Sequence, residues 1–459
     1  MSQTFQVTNP ANRAVLASLP DMGAAETRAA IDAAHAAFPA WAARTAKDRG
    51  AILRRWSDLI LEHTERLAAL MTAEQGKPLA EARGEVAYGA SFIDWFADEA
   101  KRAYGHAIPT PDPKKRLMSV KQPIGVCAAI APWNFPIAMI TRKVGPALAA
   151  GCTVVVKPAA ETPLCALAIA ELATEAGVPD GVLNIVTGTD ASAIGAVLCE
   201  DSRVRKLSFT GSTPVGKLLY GQCAGTVKKL SLELGGNAPF IVFDDADLEA
   251  AVDGAMASKY RNAGQTCVCA NRLIVQSGIH DAFVARLAEK AAALKVGAGD
   301  QPGVQIGPLI TAKAVAKVEG LLAEAVAGGA RIVTGGTAEG QFFTPTVLTG
   351  ATADMRIFQE EIFGPVAPVV RFETEAEAIA LANATPYGLA AYFYSRDVGR
   401  CWRVAEAIEA GMVGINEGLI STEVAPFGGV KESGLGREGG SEGLEEYFET
   451  KYLCFGGVA

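Results

Sequence analysis

The feature that most constrains this chain is a regular alternation between residues 124 and 232. Short β-rich runs alternate there with helix-length segments in four repeats, from IGVCAAIAP to KKLSLELGG. Repeated strand, helix and strand units predict an α/β fold with a parallel, doubly wound sheet. Such sheets bind ligands in the crevice at the carboxyl ends of their strands, so we expect the functional site at that edge.

A second α/β stretch runs from FIVFDD (240–245) through NRLIVQ, TVL and APVVRF to MVGIN. The 459 residues are enough for two or three domain-sized units, and we place a boundary near Gly235 and Gly236. Residues 24–104 read as three helical segments, the middle one running from KDRG to MTAEQ, with Gly76 to Pro78 separating the last two.

Two segments outside these stretches lack an obvious place in either sheet. IPTPDPKKR (108–116) is rich in proline and charge and predicts a loop or protruding hairpin. The tail after about residue 440 ends in a short apolar strand without a partner nearby in sequence, which favours pairing with another molecule.

Charge and cysteine usage exclude several classes of protein. With 42 basic and 50 acidic residues the net charge is −8, so no basic field gathers nucleic acid or anionic lipid. Residues 122–141 carry no charge, but Pro123, Pro132 and Pro136 would break a spanning helix, and no membrane association is expected. An odd number of cysteines, nine, with no secretory leader indicates reduced thiols in the cytoplasm, and the four dispersed histidines predict no metal site.

Three glycine motifs suggest different chemistries. GLGREG (434–439) has no strand before it and is expected to be a loop, and GGSEG (439–443) lacks the later histidine that a hydrolase needs. GSTPVGK (211–217) follows a strand and opens a helix, where backbone N–H groups bind phosphate. A nucleotide triphosphatase is the alternative, but Leu218 stands where Ser or Thr must hold magnesium, so a dinucleotide is favoured.

The clearest chemical signal is Cys267, in the polar segment RNAGQTCVCAN before a strand. Glu233, at a strand end beside two glycines, offers a base, and Asn134, between two prolines, offers an amide donor to an oxyanion. Taken singly, Glu233 is more simply explained as an ordinary carboxylate at a strand end, and Asn134 as a residue that forms a turn. Together they form a catalytic set.

The chain resembles the aldehyde dehydrogenase superfamily over nearly its whole length. The matching segments are PWNFP (132–136), VVKPA (155–159), FTGS (209–212), LELGGN (232–237), GQTC (264–267) and EEIFGP (360–365). Within the superfamily it is most similar to succinate-semialdehyde dehydrogenases, although its amino terminus looks shorter than usual, as if trimmed.

The resemblance implies a Rossmann-type cofactor domain (1–104 and 123–235), an α/β catalytic domain (236–433) and a small β oligomerisation element (105–122 and 440–459). It also implies a cytoplasmic homodimer or homotetramer. Cys267 would be the nucleophile, Glu233 the base, Asn134 the oxyanion donor and Lys143 a supporting lysine. The cofactor residues would be Trp133, Lys157, Ala160, Gly211, Ser212, Leu234, Glu361 and Phe363.

The resemblance further assigns Arg142, Arg261 and Ser421 to the distal carboxylate of succinate semialdehyde, a small anionic aldehyde. Ala160 stands where NAD-preferring relatives often carry Glu, which favours NADP, while Glu161 keeps NAD possible. Cys269 is a possible redox partner of Cys267. Glutarate semialdehyde or another ω-carboxy aldehyde is the alternative substrate, and a catalytically silent structural or binding relative is the alternative of another class.

Overall fold

The amino-terminal part of the computed structural model, which describes residues 3–458, is a β-hairpin followed by four helices. Gly76, with φ +95°, ends the third helix in the left-handed conformation that favours glycine. The single helix expected from KDRG to MTAEQ is wrong: the backbone leaves the helical region at His63 and a new helix begins at Thr64. The elements are β1 (Thr4–Thr8), β2 (Val15–Pro20), α1 (Ala24–Ala42), α2 (Ala46–Glu62), α3 (Thr64–Gln75), α4 (Leu79–Glu99), β3 (His106–Ile108) and β4 (Lys115–Pro123).

The predicted parallel sheet is confirmed between residues 126 and 233. Its elements are β5 (Val126–Ile130), α5 (Ala138–Ala150), β6 (Thr153–Lys157), α6 (Pro163–Glu175), β7 (Leu183–Ile185), α7 (Ala191–Glu200), β8 (Val204–Thr210), α8 (Thr213–Cys223) and β9 (Lys229–Glu233). The order β9-β8-β5-β6-β7 reverses direction at β5, which makes the sheet doubly wound. An apolar cluster covers each face of this sheet. The neighbouring residues Cys127 and Val126 of β5 point to opposite faces, and each packs in a different cluster.

A seven-stranded sheet follows, in the order β12-β15-β16-β11-β10-β17-β18. All its pairings are parallel except that between β12 and β15. The strand at AAYFY (390–394) was not among those expected from the sequence. The elements are β10 (Ala238–Val242), α9 (Leu248–Tyr260), β11 (Ala270–Gln276), α10 (Ser277–Ala292), α11 (Ala312–Ala327), β12 (Arg331–Thr334), β13 (Ala338–Glu339), β14 (Phe342–Phe343), β15 (Thr346–Thr349), α12 (Arg356–Gln359), β16 (Val366–Phe372), α13 (Glu375–Asn383), β17 (Ala390–Tyr394), α14 (Val398–Ala407) and β18 (Met412–Ile415).

The chain then returns to the first sheet and ends in a third. β19 (Gly434–Leu435) pairs antiparallel with β9, α15 spans Glu442–Glu445, and β20 (Phe448–Gly456) pairs antiparallel with β4. The proline-rich segment, expected to be a loop or protruding hairpin, connects β3 and β4, which pair antiparallel as a hairpin. The tail finds a partner more than 300 residues earlier, beyond the reach of local pattern, while its other edge is unpaired within residues 3–458, so the expected pairing with another molecule stays a prediction.

The change from one large sheet to the other falls at residues 234–237, between β9 and β10. The division of the whole chain into domains stays a prediction. Over residues 3–458, no helix combines the length and apolar character needed to cross a bilayer.

Candidate active site

The reversal of strand order at β5 creates a cavity of about 250 Å³ at the carboxyl ends of β5, β8 and β9. In the register of these strands Ile130 lies opposite Phe209, and Thr210 lies opposite Glu233, so segments distant in sequence end side by side. The cavity is lined by Pro132, Trp133, Asn134, Thr210, Gly211, Ser212, Leu234, Gly235, Cys267, Ala314, Lys317, Glu361, Ile362 and Phe363.

Cys267 reaches this cavity from a tight turn before β11. Three successive residues, Asn262, Ala263 and Gly264, have positive φ, and a Cβ on Gly264 would come within 2.3 Å of the Gly364 carbonyl oxygen. Across the turn, a Cβ on Gly236 would lie 2.3 Å from the carbonyl oxygen of Cys267. These close approaches hold the nucleophile segment against the turn between the two large sheets.

The Cys267 thiol is partly exposed and free. Burial raises the pKa of the Cys267 thiol to about 12. The charge of Arg142 lowers this pKa, whereas the charges of Glu233 and Glu361 raise it. The thiol is therefore protonated at neutral pH in this state, and its attack on a substrate requires a proton acceptor.

Glu233 ends β9 and is 2% exposed. Its Oε2 has no hydrogen-bond partner and lies 3.9 Å from Nη2 of Arg142. Burial and the charge of Glu438 raise the pKa of Glu233 to about 8, against the opposing charges of Arg142 and Lys143. A carboxyl with this pKa exchanges a proton near neutral pH, as a general base must.

Glu438 is a residue of this site that the sequence did not reveal. It is buried, pairs with the Nε atom of Arg142, accepts a hydrogen bond from Lys143 Nζ and receives another from Ser208 Oγ at 3.3 Å. Burial acts to raise its pKa, but Arg142 and Lys143 outweigh burial and lower it to about 2. Because its partners lie more than 200 residues away, no local signal in GLGREG marked it.

Lys143 and Asn134 are both held firmly. Lys143 donates to Thr210 Oγ1 at 2.6 Å as well as to Glu438, and it does not line the cavity. Asn134 does line the cavity. Its side-chain Nδ2 donates to the Gln265 backbone carbonyl at 3.0 Å, and the backbone carbonyl of Asn134 accepts from Lys77 Nζ at 2.8 Å. An amide nitrogen has two N–H groups, so one remains for an oxyanion.

The predicted cofactor residues divide into two groups. Gly211 and Ser212 lie immediately before the first residues of α8, where helix N–H groups bind phosphate, and Glu361 Oε1 accepts a hydrogen bond from Gly236 N at 3.0 Å. Burial raises the pKa of Glu361 to about 7. Trp133, Leu234 and Phe363 complete this group, and Trp133 packs edge-on against Phe363 with ring centroids 5.6 Å apart.

Lys157 and Ala160 form the second group and do not line the cavity. Lys157 ends β6, where its Nζ donates to the Pro158 carbonyl at 3.0 Å. Burial lowers the pKa of Lys157, and the nearby charge of Glu161 raises it. The role of Lys157 and Ala160 in cofactor binding stays a prediction.

A second, narrower cavity meets the first at Cys267 and contains all three predicted substrate residues, Arg142, Arg261 and Ser421. The Arg142 guanidinium stacks 4.1 Å from the ring centre of Phe427, and that of Arg261 lies 5.3 Å from the ring centre of Phe135. The sequence reasoning missed the other walls of this cavity, which are Tyr88, Phe135, Met139, Thr266, Val268 and Phe427.

Cys269 is buried behind the nucleophile, and its thiol is free, with Sγ donating to the Lys259 carbonyl at 3.5 Å. Its proposed redox role stays a prediction. As for metals, the part of the chain that the structure describes contains no cluster of three or more His, Cys, Asp or Glu side chains suited to an ion.

Comparisons with known proteins agree with this geometry. Residues 1–453 match the aldehyde dehydrogenase family. The chain is 62% identical to the NADP-dependent succinate-semialdehyde dehydrogenase of Escherichia coli, over 99% of this chain and 95% of that protein. It is 61% identical to a glutarate-semialdehyde dehydrogenase of Pseudomonas aeruginosa, with the same coverage. A crystal structure of succinate-semialdehyde dehydrogenase from Burkholderia pseudomallei superposes with a TM-score of 0.98 at 61% identity, covering 99% of this chain and 95% of that one.

Proposed function

Because the chain belongs to the aldehyde dehydrogenase family, we propose that it oxidises succinate semialdehyde to succinate with NADP as the electron acceptor. The observation that carries this proposal is the position of Cys267, which lines both the cavity at the strand ends and the narrow cavity that two arginines line. An aldehyde that meets the thiol from the side of the narrow cavity brings a distal carboxylate toward these arginines.

In the first half of the reaction the Cys267 sulfur attacks the aldehyde carbon. The thiol proton leaves to a base, and the carbonyl oxygen becomes the oxyanion of a thiohemiacetal. We assign the free N–H of Asn134 and the backbone N–H of Cys267 as donors to that oxyanion, because both residues line the same cavity. A bound NADP would supply the hydride acceptor for the former aldehyde carbon, and Cys267 would then hold the acyl group as a thioester.

The residues around the first cavity fit such a dinucleotide. The helix N-terminus after Ser212 suits the phosphates, and the carboxylate of Glu361 suits ribose hydroxyls. Lys157, at the end of the neighbouring strand, suits an additional 2′-phosphate, and Ala160 places no carboxylate there to repel it. These features favour NADP, and NAD is the second acceptor to test.

In the second half of the reaction Glu233 takes a proton from water, which attacks the thioester and releases the acid. Its pKa of about 8 lets Glu233 accept that proton near neutral pH and return it afterwards. Burial raises this pKa, the charge of Glu438 adds to the rise, and the charges of Arg142 and Lys143 oppose it.

The arginines determine the substrate class. Arg142 and Arg261 bring guanidinium donors to the cavity, Ser421 brings a hydroxyl, and no carboxylate lines it to repel an anion. Glutarate semialdehyde is the second candidate, since a relative 61% identical carries that name and one methylene changes binding by only ~1–3 kcal/mol.

We further infer a homodimer or homotetramer in the cytoplasm. The three-stranded sheet leaves β20 at its edge with Tyr452 and Phe455 largely exposed, a surface that suits contact between copies of the chain. Light scattering of the purified protein measures the oligomeric state directly.

A panel of succinate semialdehyde, glutarate semialdehyde and hexanal, each with NADP and with NAD, tests the proposal. We expect the highest kcat/KM for succinate semialdehyde with NADP. Turnover of hexanal at an equal or higher kcat/KM would contradict the substrate class, and no reduced cofactor with any aldehyde would favour a catalytically silent relative.

A further inference from the structure

Three residues that line the narrow cavity beside Cys267 each have one buried polar atom without a hydrogen-bond partner. The atoms are the Tyr88 hydroxyl, Oγ1 of Thr266 and Nη2 of Arg142, the last of which faces Glu233 Oε2 at 3.9 Å. Such atoms are rare in folded proteins, because each loses its bonds to water without gaining others. Among residues 3–458, eight buried side-chain atoms lack a partner, so three on residues that line one small cavity make it a place where a polar ligand can bind.

Tyr88 is held by packing at the wall of this cavity, with Ser421 as a neighbouring polar side chain. The residue lies on α4, and its ring packs edge-on against Phe92 with centroids 4.9 Å apart. The ring lines the same cavity as Ser421 and the two arginines, while its hydroxyl oxygen is buried. Nothing in the sequence pattern of α4 distinguished this tyrosine from the other aromatic residues of the helix.

The chemistry of the cavity identifies the ligand as an anion. Arginine nitrogens only donate hydrogen bonds, and Arg142 and Arg261 bring two positive charges. Burial raises the pKa of Tyr88, so its hydroxyl keeps its proton and is available as a donor. A carboxylate, with two acceptor oxygens and about four lone-pair sites, can accept from several such donors at once.

We propose that the Tyr88 hydroxyl donates a hydrogen bond to the distal carboxylate of the aldehyde, alongside Arg142 and Arg261, and so determines the preference for ω-carboxy aldehydes. This inference rests on the proposed function and adds a specificity residue to it. Tyr88 has no part in the bond changes at Cys267, so its removal weakens binding of anionic substrates and leaves the chemistry of neutral ones intact.

The test is Tyr88→Phe, which keeps the ring and removes one oxygen. Steady-state kinetics are measured with succinate semialdehyde, its methyl ester and butanal, which share a four-carbon chain and differ in the distal group. We expect kcat/KM for succinate semialdehyde to fall roughly tenfold or more, mainly through KM, because a hydrogen bond to a charged group is lost. The values for the ester and butanal should change less than about twofold.

Tyr394→Phe is the matched control. Tyr394 is also buried, stacks on Phe240 and lies on β17 outside the cavity. We expect this variant to leave all three kcat/KM values unchanged. Thermal melting of both variants shows whether either substitution alters the fold.

Two results would overturn the inference, and they differ in what else they affect. If wild type prefers succinate semialdehyde and Tyr88→Phe keeps that preference, or loses equally on butanal, Tyr88 is not a carboxylate donor while the proposed function stands. If wild type shows no preference for succinate semialdehyde over its methyl ester, the proposed substrate fails and this inference fails with it.

Discussion

The buried ion cluster next to the base predicts how activity responds to pH. Glu438 lies against Arg142 and Lys143, and its negative charge is one cause of the raised pKa of Glu233. Glu438→Gln removes that charge and keeps the size of the side chain, with one oxygen still able to accept from a neighbouring cation. The two cations then act on Glu233 without the opposing anion, so its pKa must fall.

The magnitude follows from Coulomb's law. Like charges that contact one guanidinium repel by about 1–3 kcal/mol at an effective dielectric constant of about 20. That energy corresponds to roughly one to two pKa units. Glu233 has a pKa of about 8 in the wild type, so it acts as a base increasingly as pH rises through about 8. In the variant this rise should occur roughly one to two units lower.

The assay is hydrolysis of p-nitrophenyl acetate, which acylates Cys267 without a cofactor. The steady rate after the initial burst reports deacylation, the step in which Glu233 activates water. Glu446→Gln is a matched control, because Glu446 pairs with buried Lys206 away from the cavity. A pH profile of Glu438→Gln that coincides with that of wild type, or moves to higher pH, would refute the electrostatic reasoning.

Three further predictions concern the substrate, the cofactor and oxidation. Arg261→Ala should raise KM for succinate semialdehyde by about tenfold or more, with little change for hexanal, because one guanidinium of the anion cavity is lost; equal losses in steady-state assays would rule out the carboxylate role. Lys157→Ala should lower kcat/KM with NADP roughly tenfold and leave NAD nearly unchanged, and an equal effect on both cofactors would show that this lysine does not contact the 2′-phosphate. In Cys269→Ala, peroxide inactivation should be less reversible by dithiothreitol than in wild type, since a Cys267 sulfenic acid with no neighbouring thiol is oxidised further to the irreversible sulfinic acid; recovery equal to that of wild type after the same peroxide exposure would disprove the redox role.

The sequence was informative wherever structure follows from local pattern. The alternation of β-rich and helical segments predicted the parallel sheet, and the proline-rich segment predicted the hairpin of β3 and β4. Family motifs identified Cys267, Asn134, Arg142 and Arg261, and the structure brings all four to two adjoining cavities. Local pattern was insufficient at His63, where one predicted helix is two.

The tertiary structure alone decided the interactions between distant segments. β20 pairs with β4, although the tail offered no partner nearby in sequence. Glu438 contacts Arg142 and Lys143, which lie almost 300 residues earlier in the chain. Tyr88 becomes a candidate substrate residue only because the fold places it in the same cavity wall as Arg142 and Arg261.

The physical reason for this division is the range over which each force acts along the chain. Backbone sterics, helix and strand periodicity and glycine turns depend on a few neighbouring residues, so the sequence by itself determined the alternating elements of the first sheet and identified Cys267 as the candidate nucleophile. The pKa of Glu233, the pairing of the tail and the donors around the substrate depend on which charges and edges packing brings together. Only the folded arrangement determines those distances, and electrostatic and hydrogen-bond energies depend on distance.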